Sequence, residues 1–198
     1  KIENYTIKYN LDGGEVTNPE SYNIETNTFK LNNPVKEGYV FTGWTGSNGT
    51  AKEKDVTITK GTTGNKEYTA NYEEAKYKIT YKSDENGSIT GITNEEVTYK
   101  NSPSGTTSTP NEGYEVLKWA VDKDVNLKGG TKVLKGDAIT LDEIKKIEVT
   151  EDIVITIYHY KIKYSITYES SENGTISGIE SEEVSYGENP LGTENNPN

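Results

Sequence analysis

The amino-acid sequence predicts a mostly β protein with minor α content, assembled from tandem repeats, and three observations carry that expectation. Residues 77–111 (YKITYKSDENGSITGITNEEVTYKNSPSGTTSTPN) reappear without a gap as residues 164–198 (YSITYESSENGTISGIESEEVSYGENPLGTENNPN), identical at 20 of 35 positions. Self-similarity of this kind marks an array in which each repeat is one small structural unit. Apolar residues alternate in short runs: Tyr5, Ile7 and Tyr9; Tyr77, Ile79 and Tyr81; Tyr164, Ile166 and Tyr168. A period of two is the signature of a strand with one buried face. Each run is followed by turn residues, Asp12-Gly13-Gly14, Asn86-Gly87 or Asn173-Gly174.

Taken in chain order, each opening strand and its Gly-containing turn predict a hairpin, because Gly tolerates the positive φ of a tight turn and Asn shares that tolerance best. Next, Gly38-Tyr39-Val40-Phe41-Thr42-Gly43-Trp44 matches Gly113-Tyr114-Glu115-Val116-Leu117-Lys118-Trp119, with Gly-Tyr, an apolar pair and Trp at equal spacing. The closing strands correspond as well, Tyr68, Ala70 and Tyr72 falling on Ile155, Ile157 and His159. Between Trp44 and Tyr77 lie 32 residues, and between Trp119 and Tyr164 lie 44. Within that extra length Thr140–Ile147 predicts a short helix, Thr140 and Glu143 being spaced as a capping box. The expected organisation is a first unit at residues 1–74, a longer related unit at 75–161 and the truncated first half of a third at 162–198. The junctions at 73–76 and 160–163 are poor in Gly, Ser and Pro, which argues against flexible linkers.

Composition narrows the partners. All 21 basic residues are Lys, and the net charge is −11. Without an Arg fork to read phosphate or sulfate, and with long-range repulsion of anions, nucleic acid, anionic membranes and heparin-like glycans are poor candidates. No apolar run is long enough for membrane insertion. Cys is absent, so no disulfide staples the fold and redox chemistry does not reveal the compartment.

The residues that invite chemistry each have a plainer reading. Asp122, Asp124 and Asn126 alternate like the start of a calcium loop, yet Leu127 stands where that loop needs Gly and Val133 where it needs a bidentate Glu. A solvated turn is expected, and no metal site is assigned. His159, the sole histidine, lacks the companions of a zinc site or a catalytic triad and is expected to be a structural strand-end residue. Glu95-Glu96 recurs as Glu182-Glu183, but neighbours on a strand face opposite sides, so edge charge against strand pairing is the expectation. Trp44 and Trp119 could stack on sugar rings; their recurrence in units of different length favours core anchors. A Lys8–Asn71 isopeptide bond is disfavoured because both alternate outward. No catalytic residue and no cofactor site is assigned.

Together YTIKYNLDGG, NPESYNIETNTFKLNNPVKEGYVFTGWTGSNGT and the closing YTANY resemble the Listeria-Bacteroides repeat, the B repeat of internalin-type surface proteins. The second unit is similar to a longer, less regular relative of it. The resemblance implies tandem β-grasp-like, ubiquitin-like modules carried on a bacterial cell surface, extracellular and anchored through other regions. It implies no enzymatic activity, and roles in spacing, adhesion and partner binding. The expected function is therefore a non-enzymatic stalk, adhesion or protein-interaction segment engaging a host or neighbouring-cell surface protein; the alternative is a carbohydrate-binding accessory segment of a large extracellular hydrolase. The half-length third repeat is expected to cover its apolar face on the second unit or by self-association with another chain.

Overall fold

The computed structural model describes residues 1–197; Asn198, the last residue of the expected third repeat, lies outside the described residues. Strands dominate, and the described residues contain one helical turn. The described residues form two compact units, residues 1–77 with 98–100, and residues 78–97 with 101–197.

In the first unit, β1 (Tyr5–Asn10), β2 (Ser21–Tyr22), β3 (Phe29–Lys30), β4 (Tyr39–Gly46), β5 (Gly49–Glu53), β6 (Thr57–Ile58) and β7 (Lys66–Glu74) follow in order. Five of them make one sheet, β2-β1-β7-β4-β5. Its first and last long strands, β1 and β7, are parallel neighbours from Ile7 opposite Lys66 to Asn10 opposite Thr69, whereas β2, β4 and β5 join antiparallel. The alternation of β1 and β7 aims Ile7, Tyr68 and Ala70 into a core shared with Tyr22, Leu31, Trp44, Val56 and Ile58. A register shift between Phe41 and Gly43 bulges β4. There the Asn71 amide donates to Gly43 O and Thr45 Oγ1, both at 3.0 Å, which satisfies groups that the disturbed ladder leaves open.

The second unit repeats this plan. Its elements are β8 (Lys76–Ser83), β9 (Gly87–Ile89), β10 (Asn94–Thr98), β11 (Ser108–Pro110), β12 (Tyr114–Val121), β13 (Val125–Asn126), β14 (Lys132–Val133), α1 (Leu141–Ile144) and β15 (Ile153–Lys161), and then β16 (Lys163–Thr167), β17 (Gly174–Ser177), β18 (Ser181–Ser185) and β19 (Glu194–Pro197). The order β10-β8-β15-β12 reproduces β2-β1-β7-β4, again with the opening and closing strands parallel. β12 carries a register shift between Val116 and Lys118, at the place that corresponds to the bulge of β4. The extra residues form the β13–β14 pair and α1, which bury Val125, Val133 and Ile144. The capping box of Thr140 and Glu143 is present as expected. The helix is shorter than the sequence suggests, ending at Ile144, because the chain turns there to bury Ile147 beside it.

The expected hairpins are corrected. At Asp12-Gly13-Gly14 the turn forms, with φ of 45° at Asp12 and 81° at Gly13, but the chain goes on to a bridge between Glu15 and Val35, and the antiparallel partner of β1 is the more distant β2. After Asn86-Gly87 the strand β9 pairs with β11, not with β8. Gly87 has no positive φ; a Cβ on it would lie 2.3 Å from the His159 ring. Close approach of another side chain, not turn geometry, is what requires glycine there.

The third repeat follows the second as far as it goes. β16 pairs with β18 and β17 with β19, as β8 does with β10 and β9 with β11. Its opening segment is less covered: Ile79 and Tyr81 are buried, whereas their counterparts Ile166 and Tyr168 are only half-buried. Among the described residues no parallel strand lies along β16 in the way that β15 lies along β8.

Candidate functional site

The polar residues that recur between repeats converge on internal clamps. In the second repeat, Tyr81 Oη donates to Glu95 Oε1 at 2.6 Å, and the same carboxylate accepts from Ser104 N at 3.0 Å and Ser104 Oγ at 2.9 Å. The third repeat builds the clamp again: the Tyr168 phenol donates to Glu182, whose oxygens also accept from Leu191 N at 2.9 Å and Gly192 N at 3.1 Å. One carboxylate thus ties a long loop back to the opening strand. Glu95 and Glu182 do lie on edge strands, β10 and β18, and their carboxylates are in addition taken up by bonds to the Tyr-bearing strand and its loop. The phenol of Tyr168 beside it holds the Glu182 carboxyl below its ordinary value, and the same bond raises the Tyr168 phenol. Burial, then the Glu95 carboxylate, raises the Tyr81 phenol. Tyr81→Phe is expected to destabilise the second unit by about 1–2 kcal/mol. A urea titration followed through the NMR signals of that unit, with faster amide exchange at Ser104, checks it.

His159 sits near the end of β15 with its side chain fully buried. Its Nδ1 lies 2.7 Å from Asp84 Oδ1, and its backbone N–H donates to Asp84 Oδ2 at 2.8 Å. An ionised carboxylate only accepts, so the imidazole proton resides on Nδ1. Burial pushes the Asp84 carboxyl up, but the bonds from His159 and from the Asn86 N–H outweigh it, and the net displacement is downward. Tyr72 plays the same part in the first unit: it packs against Gly14 and donates to Leu11 O at 3.1 Å. His159 thus stands at the strand position that corresponds to Tyr72, packed against Gly87 as Tyr72 is against Gly14.

The remaining candidates are held by the fold. Trp44 is 0% and Trp119 8% exposed, so the carbohydrate-binding alternative loses the aromatic platform on which it rested. Asp122 Oδ1 accepts from Val154 N at 2.9 Å, and Asp124 accepts from Lys135 N at 3.0 Å and pairs with Lys132. Among the described residues no group of three His, Cys, Asp or Glu is arranged to hold a metal ion. A cleft of roughly 370 Å³ is lined by Lys118, Asp122, Lys135 and Tyr158. Its carboxylate is the Asp122 just described as a backbone acceptor. The sequence reading missed Asp84, Ser104 and Leu191; the last two could have been found from the recurrence of Tyr81 and Glu95 as Tyr168 and Glu182, whereas Asp84 has Ser171 at its repeat position and gives no such signal.

The chain is thus an array of repeated sheets whose recurring polar residues are taken up by internal hydrogen bonds. Residues 5–71 match the family model of the Listeria-Bacteroides repeat domain, and residues 77–141 match that of the divergent InlB B-repeat domain. Both matched segments fall on the repeat units, and these two repeat families are typical of bacterial surface proteins and typically non-catalytic. No curated protein and no solved structure matches the chain. Among the described residues no helix is long and apolar enough to cross a membrane.

Proposed function

We propose that this chain is a non-enzymatic stalk and adhesion segment of an extracellular bacterial surface protein, built of β-grasp-like repeats at residues 1–74 and 75–161 and the truncated first half of a third at 162–198. The order β2-β1-β7-β4-β5 with a central parallel pair supports the β-grasp reading of the first repeat, and β10-β8-β15-β12 supports it for the second. The observation that carries the stalk reading is the parallel pairing of the opening and closing strands. Two parallel neighbours place the start of one and the end of the other at opposite ends, so the chain enters each of the first two repeats at one end and leaves at the other. Tension between those ends then shears a ladder lengthwise, loading its hydrogen bonds together where peeling would load them one at a time. Such a repeat suits a load-bearing spacer.

Adhesion fits the same surface: a protein ligand on a host or neighbouring cell can add a strand to an exposed sheet edge, and the acidic, Arg-free surface disfavours nucleic acid. Beads coated with the full chain are expected to attach to cells in a saturable, protease-sensitive manner, while a glycan array gives no hits. Saturable glycan binding with protease-resistant attachment would replace this reading by the carbohydrate-binding one.

A further inference from the structure

A joint of one design occurs twice, once within each compact unit. In the first unit the Glu37-Gly38-Tyr39 turn has Gly38 at φ +77°. The Tyr99 ring lies against it, so that a Cβ on Gly38 would be 2.3 Å from Tyr99 Cδ1, and the Tyr99 phenol donates to Glu37. Two backbone bonds complete the lock: Ala75 N donates to Gly38 O, and Tyr99 N donates to Ala75 O, both at 2.9 Å. In the second unit Glu112-Gly113-Tyr114 has Gly113 at φ +82°. The Tyr186 ring covers it, 2.1 Å from where a Cβ would be, and its phenol donates to Glu112. Ile162 N donates to Gly113 O at 2.9 Å, and Tyr186 N to Ile162 O at 2.8 Å. Even the residue after the tyrosine agrees, Lys100 at φ 58° and Gly187 at φ 74°.

We propose that the Glu-Gly-Tyr turn of a repeat is a docking site for the following repeat, which presents a tyrosine just after the strand that pairs with its opening strand, β10 or β18. The site takes a planar ring against a bare glycine backbone and ties the ring's hydroxyl to the adjacent carboxylate. Its occupant is the next repeat of the same chain, keyed by Tyr99 or Tyr186, with Ala75 or Ile162 as the bridging link. A side chain on the glycine would push the ring away, and the left-handed φ disfavours one in any case. The chemistry also gives an ordering rule. The first repeat has Ile24 at the position of Tyr99 and Tyr186, two residues past the buried Tyr22 that corresponds to Val97 and Val184; Ile24 is exposed. It has no hydroxyl for a carboxylate, so this repeat does not dock on a Glu-Gly-Tyr turn in the same way. The proposal rests on the stalk reading for its purpose, but not for its geometry.

The test uses the full chain. Because the sequence contains no Cys, spin labels on cysteines introduced at Lys128 and Glu172 report one distance, between the second repeat and the third. In the parent chain a single narrow distance distribution is expected. Tyr186→Ala should broaden it and speed amide exchange at Ile162 and Tyr186 by about tenfold, and Gly113→Val should do the same without touching the tyrosine. Tyr186→Phe, which keeps the ring, should give an intermediate result. Unchanged exchange at Trp119 and Ile155 shows that the second repeat stays folded in each variant. An equally narrow distribution and unchanged exchange in Tyr186→Ala and Gly113→Val would overturn the docking site. Failure of the chain to adhere to cells would instead count against the adhesion reading and leave the joint intact.

Discussion

Trp44→Ala is expected to unfold the first unit at room temperature or bring it to the edge of unfolding. The indole is fully buried, with ring centroids 5.3 Å from Phe41, 5.8 Å from Tyr9 and 6.3 Å from Tyr68. Removing an aromatic side chain from such a site costs about 3–5 kcal/mol, through lost transfer energy and the cavity left behind. A small domain has only about 5–15 kcal/mol in total. The protein has two tryptophans, so in this variant the fluorescence of Trp119 reports the second unit alone, while NMR signals of Ile7 and Tyr68 report the first. The expected result is loss of dispersion at Ile7 and Tyr68 at urea concentrations where Trp119 remains buried.

Asp84→Ala is expected to be the most damaging single polar change in the second unit. It strips the buried imidazole of its acceptor at Nδ1 and the His159 backbone N–H of its own, for a loss of about 2–4 kcal/mol. The carboxyl value is held below the ordinary one in the folded protein. The stability it confers is therefore complete above the unfolded-chain value of about 3.9 and disappears as pH falls through the lower folded value. Urea midpoints of the second unit at about pH 6 and about pH 2.5 should differ less in Asp84→Asn than in the parent chain. An equal acid loss in both would assign the sensitivity to other carboxylates.

Much of the fold was legible because periodicity and recurrence are local signals. The alternation of Tyr5, Ile7 and Tyr9 named the buried face of β1, and the matched Trp44 and Trp119 named core anchors; both followed from side-chain burial on a pleated strand. The capping box at Thr140 was legible because its two partners are three residues apart. Strand pairing was not. An Asn-Gly pair after a strand is the ordinary mark of a hairpin, yet at Gly87 the glycine makes room for His159, which is 72 positions away in the sequence and close only in the fold. The role of Glu95 was hidden for the same reason: strand parity gave its face, but Ser104 and Tyr81 meet it only once the loop has closed.

The central claim is that each of the first two repeats is a tension-bearing structural part, with its opening and closing strands sheared along a parallel ladder. Single-molecule pulling on the full chain tests it most directly, by comparing two attachment geometries in the first unit. Pulling between Lys1 and Glu74 loads β1 and β7 from opposite ends, whereas pulling between Lys1 and Lys66 loads both from the same end and peels them apart. The account predicts a clearly higher unfolding force for the first geometry at equal loading rate, and equal forces in the two would contradict it.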